Sequence, residues 1–244
     1  VNAVVLAAGL GSRLGALTRD LPKALIPVGG TPLLFHALAF AARLHPSRIV
    51  LVGGFGFPLV KDAWRSYRAG APGGPPIELV ENTSFRDGNL LSLLAARPLL
   101  AEGFLVMNVD HIYRPSIASV VAPEVDAVTA FIDTDRKLGA DDMKVERRAD
   151  GRIAAISKTL GQFDCGYVGM TRVPGALRGR YFDEADRALA EEGRAIHVER
   201  ILARLATTEL APACRDISGH GWHEVDTADE RAAAEAALAA GRWA

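Results

Sequence analysis

Three groups of residues in this sequence have the types and spacing for phosphate and metal chemistry. The first lies in VVLAAGLGSRLGALTRDLPKALIPVGGTPLL, residues 4–34. After the apolar run Val4 to Ala8 comes a loop with Gly9, Gly11, Arg13 and Gly15, and then Lys23 behind Pro22. Glycines let backbone N–H groups approach phosphate oxygens, because no Cβ stands between them. The Arg13 guanidinium can fork onto two oxygens, and the Lys23 ammonium is a mobile point charge. An apolar strand, a small-residue loop and two fixed cations suit a polyphosphate. The loop alone reads equally well as a tight strand–helix turn; the cations shift the reading toward phosphate. Leu14 stands where a dinucleotide fingerprint has its third glycine, and no acid closes the second strand, where Val52 leads to Gly53 and Gly54. No Gly-Lys-Ser/Thr follows either, so the loop is not of the Walker type.

The second group is acidic. Asp110 closes the apolar run LVMNVD, and Asp226 follows the strand-like HEV. Mg²⁺ is held by one or two carboxylates together with substrate phosphates, so two such aspartates beside a phosphate loop read as a metal site. One alone would read as a helix cap. The third group is Lys144 and Lys158, each in a β-like segment. Read by themselves they extend to solvent; as a pair they suit a second phosphate. Glu81, Asn82, Gly88 and Asn89 follow the third strand. They read either as a surface that meets a base edge-on, with Gly88 allowing close approach, or as a polar loop before the next helix. His111 and Tyr113 follow Asp110 and are placed to line a second-substrate pocket. No Ser/His/Asp triad or zinc-ligand spacing is present.

These residues need a scaffold that brings strand ends together. Strand signals at Val4–Ala8, Arg48–Val52, Ile77–Val80 and Phe104–Val109 alternate with helix signals at Leu33–Leu44, Leu59–Tyr67 and Leu90–Leu100. That alternation predicts a parallel, doubly wound α/β sheet, whose ligands lie beyond the carboxyl ends of its strands. Gly9, Gly53, Glu81 and Asp110 are therefore expected to converge on one crevice. Further on, Val125–Asp133 and Phe163–Thr171 read as strands. Lys144–Arg147 and Ile153–Ser157 read as a hairpin turning at Ala149-Asp150-Gly151. Phe182–Glu192 and Ala195–Leu205 read as helices, and Thr227 is placed to cap a last helix, Ala228–Ala240. The expected organisation is one domain: 1–110 for the nucleotide, 111–225 as a β-rich acceptor-binding elaboration, and a C-terminal helix at 226–244.

The 244 residues, 49% hydrophobic and 23% charged, have an ordinary globular composition, and the formal net charge of −1 excludes bulk binding to nucleic acid or anionic lipid. The two cysteines make no disulfide framework or CxxC pair, no apolar run is long enough to span a membrane, and the first strand leaves no room for a signal peptide. A cytoplasmic protein is expected.

The 4–34 stretch resembles the signature of the nucleotidyltransferases that make NDP-sugars and CDP-alcohols, with Ala16 in place of the usual Pro. The resemblance continues through the Asp110 strand, the segment from Lys144-Val145 to GRIAAISK and the WHEVDTADE run, and is weakest over 172–215. It implies a three-layer α/β/α Rossmann-like fold with a mostly parallel mixed sheet. It implies that Leu6, Ala7, Ala8, Gly9, Gly11 and Ser12 hold the NTP, and that Arg13 and Lys23 neutralise its triphosphate. It further implies that Glu81, Asn82, Gly88 and Asn89 lie against the base, that Asp110 and Asp226 hold Mg²⁺, and that His111, Tyr113, Lys144 and Lys158 face the acceptor. The implied chemistry is attack of a phosphate oxygen on the NTP α-phosphorus, with pyrophosphate leaving.

Within that family, NVDHIY at 108–113 looks most like the cytidylyltransferases acting on inositol 1-phosphate, and DGNLLSLLAA at 87–96 is similar to these and to the phosphocholine enzymes. The expected donor is CTP. The expected acceptor is a phosphorylated alcohol: inositol 1-phosphate first, phosphocholine or an aminoalkylphosphonate second, a sugar 1-phosphate third. A non-catalytic nucleotide-binding module is the alternative from another class; the four charged residues Arg13, Lys23, Asp110 and Asp226 argue against it. A glycosyltransferase would show Asp-x-Asp, whereas Asp110 is followed by His111 and Ile112.

Overall fold

Residues 1–241 are described by a computed structural model. The first half runs β1 (Asn2–Ala7), β2 (Pro27–Val28), β3 (Thr31–Pro32), α1 (Leu33–Arg43), β4 (Arg48–Gly53), α2 (Phe57–Gly70), β5 (Ile77–Glu81), α3 (Leu90–Ala96) and β6 (Phe104–Asn108). The second runs β7 (His111–Tyr113), α4 (Ala118–Val121), β8 (Thr129–Asp133), β9 (Lys144–Arg147), β10 (Ile153–Ser157), β11 (Cys165–Val173), α5 (Arg178–Glu192), α6 (Glu199–Leu205), β12 (Ala213–Asp216), β13 (Trp222–Glu224) and α7 (Ala228–Ala239). Residues 242–244 of the expected C-terminal segment lie outside the description.

The main sheet has the order β10-β9-β11-β6-β1-β4-β5, with β8 on β11 and β12 on β8. The block β6-β1-β4-β5 is parallel, and β11 joins it antiparallel through β6. This is the mostly parallel mixed sheet with flanking helices that the sequence predicts. Strand β1 is buried along its whole length because both faces are covered. Val4 and Leu6 join Val50, Val52 and Val106 beneath α3, α5 and α6. Ala3, Val5 and Ala7 join Leu51 and Met107 beneath α1 and α2. Helix α1 turns Leu34, Ala37, Leu38 and Ala41 onto the sheet, a helical stripe starting directly after Pro32.

Three departures bear on the site. The helix read over Ala195–Leu205 begins only at Glu199. Before it, the chain is held extended against the loop leading into α3: Gly88 N donates to Arg194 O at 2.9 Å and Leu90 N to Ile196 O at 3.3 Å. Second, β7 and β13 form a separate two-stranded sheet, too short to show a period in sequence. Third, the loop after β1 winds into a 3₁₀ segment, Ser12–Thr18, and Lys23 opens a second one, Lys23–Leu25. Among the described residues no helix is long and apolar enough to cross a membrane.

Candidate active site

The loop leaving β1 is folded around a lysine. Gly11 has φ of +65°, and a Cβ there would come 2.7 Å from the Lys23 Cβ, so glycine is needed for both conformation and space. Thr18 Oγ1 donates to Gly11 O at 2.8 Å and Leu14 N donates to the same carbonyl at 3.0 Å, which fixes the loop. The Lys23 side chain then runs inward and is buried.

Its ammonium meets both aspartates. Lys23 Nζ donates to Asp110 Oδ2 at 2.6 Å and also contacts Asp226. Arg13 pairs with Asp226 as well and lies 3.4 Å from Asp141. The β7–β13 ladder brings the acids together by setting Glu224 opposite His111, and Val225 N donates to Asp110 O at 2.9 Å. The start of α7 fixes Asp226: Thr227 and Glu230 form a capping box, and Glu230 Oε2 accepts from Asp226 N at 2.8 Å.

His111 stiffens this centre. Its Nδ1 lies 2.7 Å from Asp110 Oδ1, and its ring stacks on Trp222 at 5.2 Å and 8°. The Trp222 indole donates to Asp133 Oδ2 at 2.7 Å. Gly169 leaves the space the imidazole needs, since a Cβ there would be 2.8 Å from His111 Nε2.

The charges follow from burial against pairing. Burial pulls the Lys23 ammonium down, yet Asp110 and Asp226 outweigh it and hold it above its ordinary value. Burial pushes Asp110 up, but Lys23 and His111 hold it well below the usual carboxylate range. Burial also lowers His111, and Asp110 raises it above the usual imidazole value. Glu224 is pushed up, first by burial and then, against the opposing pull of His111, by Asp110 and Asp226.

That acidic surplus bears on a metal. Asp110, His111 and Glu224 each place a ligand atom within 4.8 Å of the others. A mainly carboxylate set, crowded enough to raise one of its own members, matches a hard divalent cation that shares its shell with phosphate oxygens. The residues present fit Mg²⁺.

Above this centre opens a cleft of about 390 Å³. Ala8, Gly9, Gly11, Ser12, Arg13, Lys23, Asn89, Asp110, His111, Lys158 and Asp226 line it. Leu6 and Ala7 reach a smaller cavity beside it. Five predicted site residues stand elsewhere. Glu81 is exposed, at the end of edge strand β5 and outside the cleft, and Gly53 is likewise outside. The crevice therefore opens at the ends of β1 and β6, not along the whole sheet edge. Asn82 is buried and donates to Ser92 Oγ at 3.0 Å, supporting the wall from behind. Gly88 does allow a close approach, but of Ile196: a Cβ would lie 1.7 Å from its carbonyl oxygen. Tyr113 is buried, and its hydroxyl donates to Val168 O at 2.7 Å. Lys144 donates to the carbonyls of Gly139 and Lys158, each at 2.8 Å, so it braces the end of β10, from which Lys158 enters the cleft.

The sequence reading passed over Glu224, Asn108, Asp141, Tyr167, His197 and Glu199, all of which line the cleft. Only Glu224 carried a signal. In HEVD, acids flank the fully buried Val225, an alternation that sends Glu224 and Asp226 the same way.

A Rossmann-like sheet whose central strands end in a glycine loop, a buried lysine and paired aspartates defines a nucleotide-handling α/β domain. Residues 3–208 match the MobA-like NTP transferase domain, and the chain belongs to that family. Over 238 residues it is 32% identical to a CMP-5'-(3-aminopropyl)phosphonate synthase of Streptomyces rubellomurinus, covering 93% of this chain and 37% of that protein. It is 28% identical over 245 residues to a bifunctional IPC transferase and DIPP synthase of Archaeoglobus fulgidus, covering 98% of this chain and 44% of that protein. The chain thus spans less than half the length of these curated relatives. The inositol-1-phosphate CTP transferase structure from T. maritima superposes with a TM-score of 0.79 at 22% identity, covering 94% of this chain and 90% of that one, and so shares the fold.

Proposed function

We propose that this domain transfers a cytidylyl group from CTP to a phosphate or phosphonate monoester, releasing pyrophosphate and forming a CDP-alcohol or its CMP-phosphonate counterpart. One observation carries the reading: Lys23 is buried between Asp110 and Asp226 at the mouth of the Gly9–Arg13 loop. A cation and two acids there serve a polyphosphate and its metal. CTP as donor is supported by the relatives, whose names specify CMP or CTP chemistry.

In this reading the Gly9–Gly11 backbone and Ser12 cradle the phosphates, while Arg13 and Lys23 take up charge on the leaving pyrophosphate. Asp110 and Asp226, joined by Glu224, would hold Mg²⁺. When bound, that ion neutralises and orients the α-phosphate. Lys158 draws the acceptor to the opposite wall. An acceptor oxygen attacks the α-phosphorus, a new P–O bond forms, and the α–β bridging P–O bond breaks with its electrons leaving on pyrophosphate. The attacking oxygen is already anionic near pH 7, so no side chain need remove its proton. Positioning and charge stabilisation supply the rate. Use of CTP agrees with a cytoplasmic setting.

Pyrophosphate release with CTP, Mg²⁺ and a panel of phosphorylated alcohols and phosphonates tests this reading. Asp110→Asn is expected to lower kcat by about 10²- to 10³-fold with unchanged circular dichroism. CTP binding with no turnover on any acceptor would replace the transferase with a nucleotide-binding module.

A further inference from the structure

Among the described residues, six carboxylates line the cleft: Asp87, Asp110, Asp141, Glu199, Glu224 and Asp226. Five are accounted for. Asp87 pairs with Arg194 at 2.9 Å, and Asp141 with Arg13 at 3.4 Å. Asp110 and Asp226 share Lys23. The Glu224 carboxylate, like that of Glu199, makes no hydrogen bond or ion pair among the described residues, but it stands in the metal-fitting group with Asp110 and His111. Glu199 stands outside that group. Among the described residues its carboxylate meets no cation and makes no hydrogen bond.

The backbone that leads into it is held in place. Glu199 opens α6. Just before it, Val198 N donates to Asn89 Oδ1 at 2.8 Å, and Arg194 and Ile196 accept from the backbone N–H groups of Gly88 and Leu90. Tyr167 lines the same cleft, its hydroxyl tied to Thr171 Oγ1 at 2.8 Å. The Glu199 charge helps burial push the Tyr167 hydroxyl up, so the two are electrostatic neighbours. A carboxylate that shares a cleft wall with an aromatic ring is a usual complement of an ammonium ion.

The opposite need is met in the same cleft. Lys158 makes no ion pair among the described residues, and Lys144 pins its carbonyl at 2.8 Å. Outside the metal-fitting group, and among the described residues, the cleft keeps one acid without an ion-pair partner, Glu199, and two such cations, Lys158 and Arg86, the second packed over the Phe85 ring at 5.3 Å.

Resting on the transferase reading above, we propose that the acceptor is a zwitterion: a phosphate or phosphonate monoester that also carries an ammonium group, its anionic end held by Lys158 and its cationic end by Glu199 beside Tyr167. A neutral polyol phosphate would satisfy Lys158 and leave Glu199 without a counter-charge as water is displaced. The Asp110–His111 pair, which suggested inositol 1-phosphate from the sequence, is engaged instead in the centre below: His111 is bonded to Asp110 and stacked on Trp222.

The test uses matched acceptors with CTP and Mg²⁺: phosphoethanolamine against ethyl phosphate, 3-aminopropylphosphonate against propylphosphonate, and inositol 1-phosphate as the polyol. Each ammonium-bearing member is expected to exceed its amine-free partner in kcat/KM by about tenfold to a hundredfold, the range for a hydrogen bond to a charged group. Glu199→Gln should collapse that ratio to about threefold or less, with the loss in the acceptor KM. A Glu199 that merely stabilises the start of α6 would lower Tm and leave the ratio intact, which would overturn the proposal, as would equal use of ethyl phosphate or inositol 1-phosphate by the unaltered protein. Pyrophosphate from no acceptor would sink the transferase reading. Calorimetric binding of phosphoethanolamine and of ethyl phosphate, with a non-transferable CTP analogue present, would then decide the acceptor's charge: equal affinities overturn the proposal, and an ammonium preference lost in Glu199→Gln supports it.

Discussion

Lys23 Nζ lies 2.6 Å from Asp110 Oδ2, and the same buried ammonium contacts Asp226, so one lysine closes the two carboxylates against each other. These acids stand more than a hundred residues apart in the chain, and without the lysine between them their repulsion would be opposed only from the flanks, by His111 on Asp110 and Arg13 on Asp226. An internal ammonium is the fold's own counter-charge for a site that also fits a divalent metal.

Replacing that ammonium should therefore expose the acids. Lys23→Met is expected to lower stability by about 3 kcal/mol, because breaking a buried ion pair leaves its partners uncompensated. Millimolar Mn²⁺ should restore more Tm to this variant than it adds to the unaltered protein. Thermal denaturation with and without Mn²⁺ checks this; an equal rise in both proteins would show that lysine and metal do not compete for these oxygens.

The two lysines of the β9–β10 hairpin should separate cleanly. Lys144 spends its ammonium on the carbonyls of Gly139 and Lys158, whereas Lys158 faces the cleft. Lys144→Met is expected to cost about 1–3 kcal/mol for carbonyls left unpaired. Lys158→Met should leave Tm within about 0.5 kcal/mol equivalent, as at other exposed positions, and raise the acceptor KM. Melting curves and acceptor titrations on both variants decide it; the reverse pattern would return Lys144 to the acceptor.

Gly88 offers a sharper contrast. A Cβ at this position would lie 1.7 Å from the Ile196 carbonyl oxygen. Gly88→Ala must push the 194–198 crossover off the loop and is expected to cost about 1–3 kcal/mol through overpacking. If Gly88 instead lay against a base, the same change would raise the KM for CTP and leave Tm alone.

The thiols supply the pH dependence. Burial pushes Cys165 up to about 11 and Cys214 up to about 12. In the unfolded chain both return to the ordinary value near about 8.5. Above that value the unfolded state has lost protons that the folded state keeps, so this contribution to stability falls as pH rises from about 9 toward 11. At pH 8 only about one Cys165 in a thousand is thiolate. Ellman's reagent should thus react slowly with the folded protein and rapidly in guanidinium chloride; rapid labelling of the folded protein would contradict this burial.

The reading of the chain as α/β rested on local features: the apolar runs of β1, β4 and β6, the helical stripe of α1, and the Thr227 cap, each set by residues within a few positions of one another. The glycine loop, Lys23, Asp110 and Asp226 were legible for the same reason, since special residues at strand ends need no tertiary knowledge to be noticed. What the sequence could not determine was who faces whom. Lys144 and Lys158 look alike in sequence, and only the 139–142 turn, closing over one of them, makes Lys144 a brace and leaves Lys158 in the cleft. Gly88 announced a close approach but not its partner, because Ile196 arrives from a crossover more than a hundred residues later. Glu199 showed nothing, since an acid opening a helix is ordinary in sequence. That it meets no cation among the described residues is a property of the folded neighbourhood, where pairing is set by distances that the chain's order does not encode.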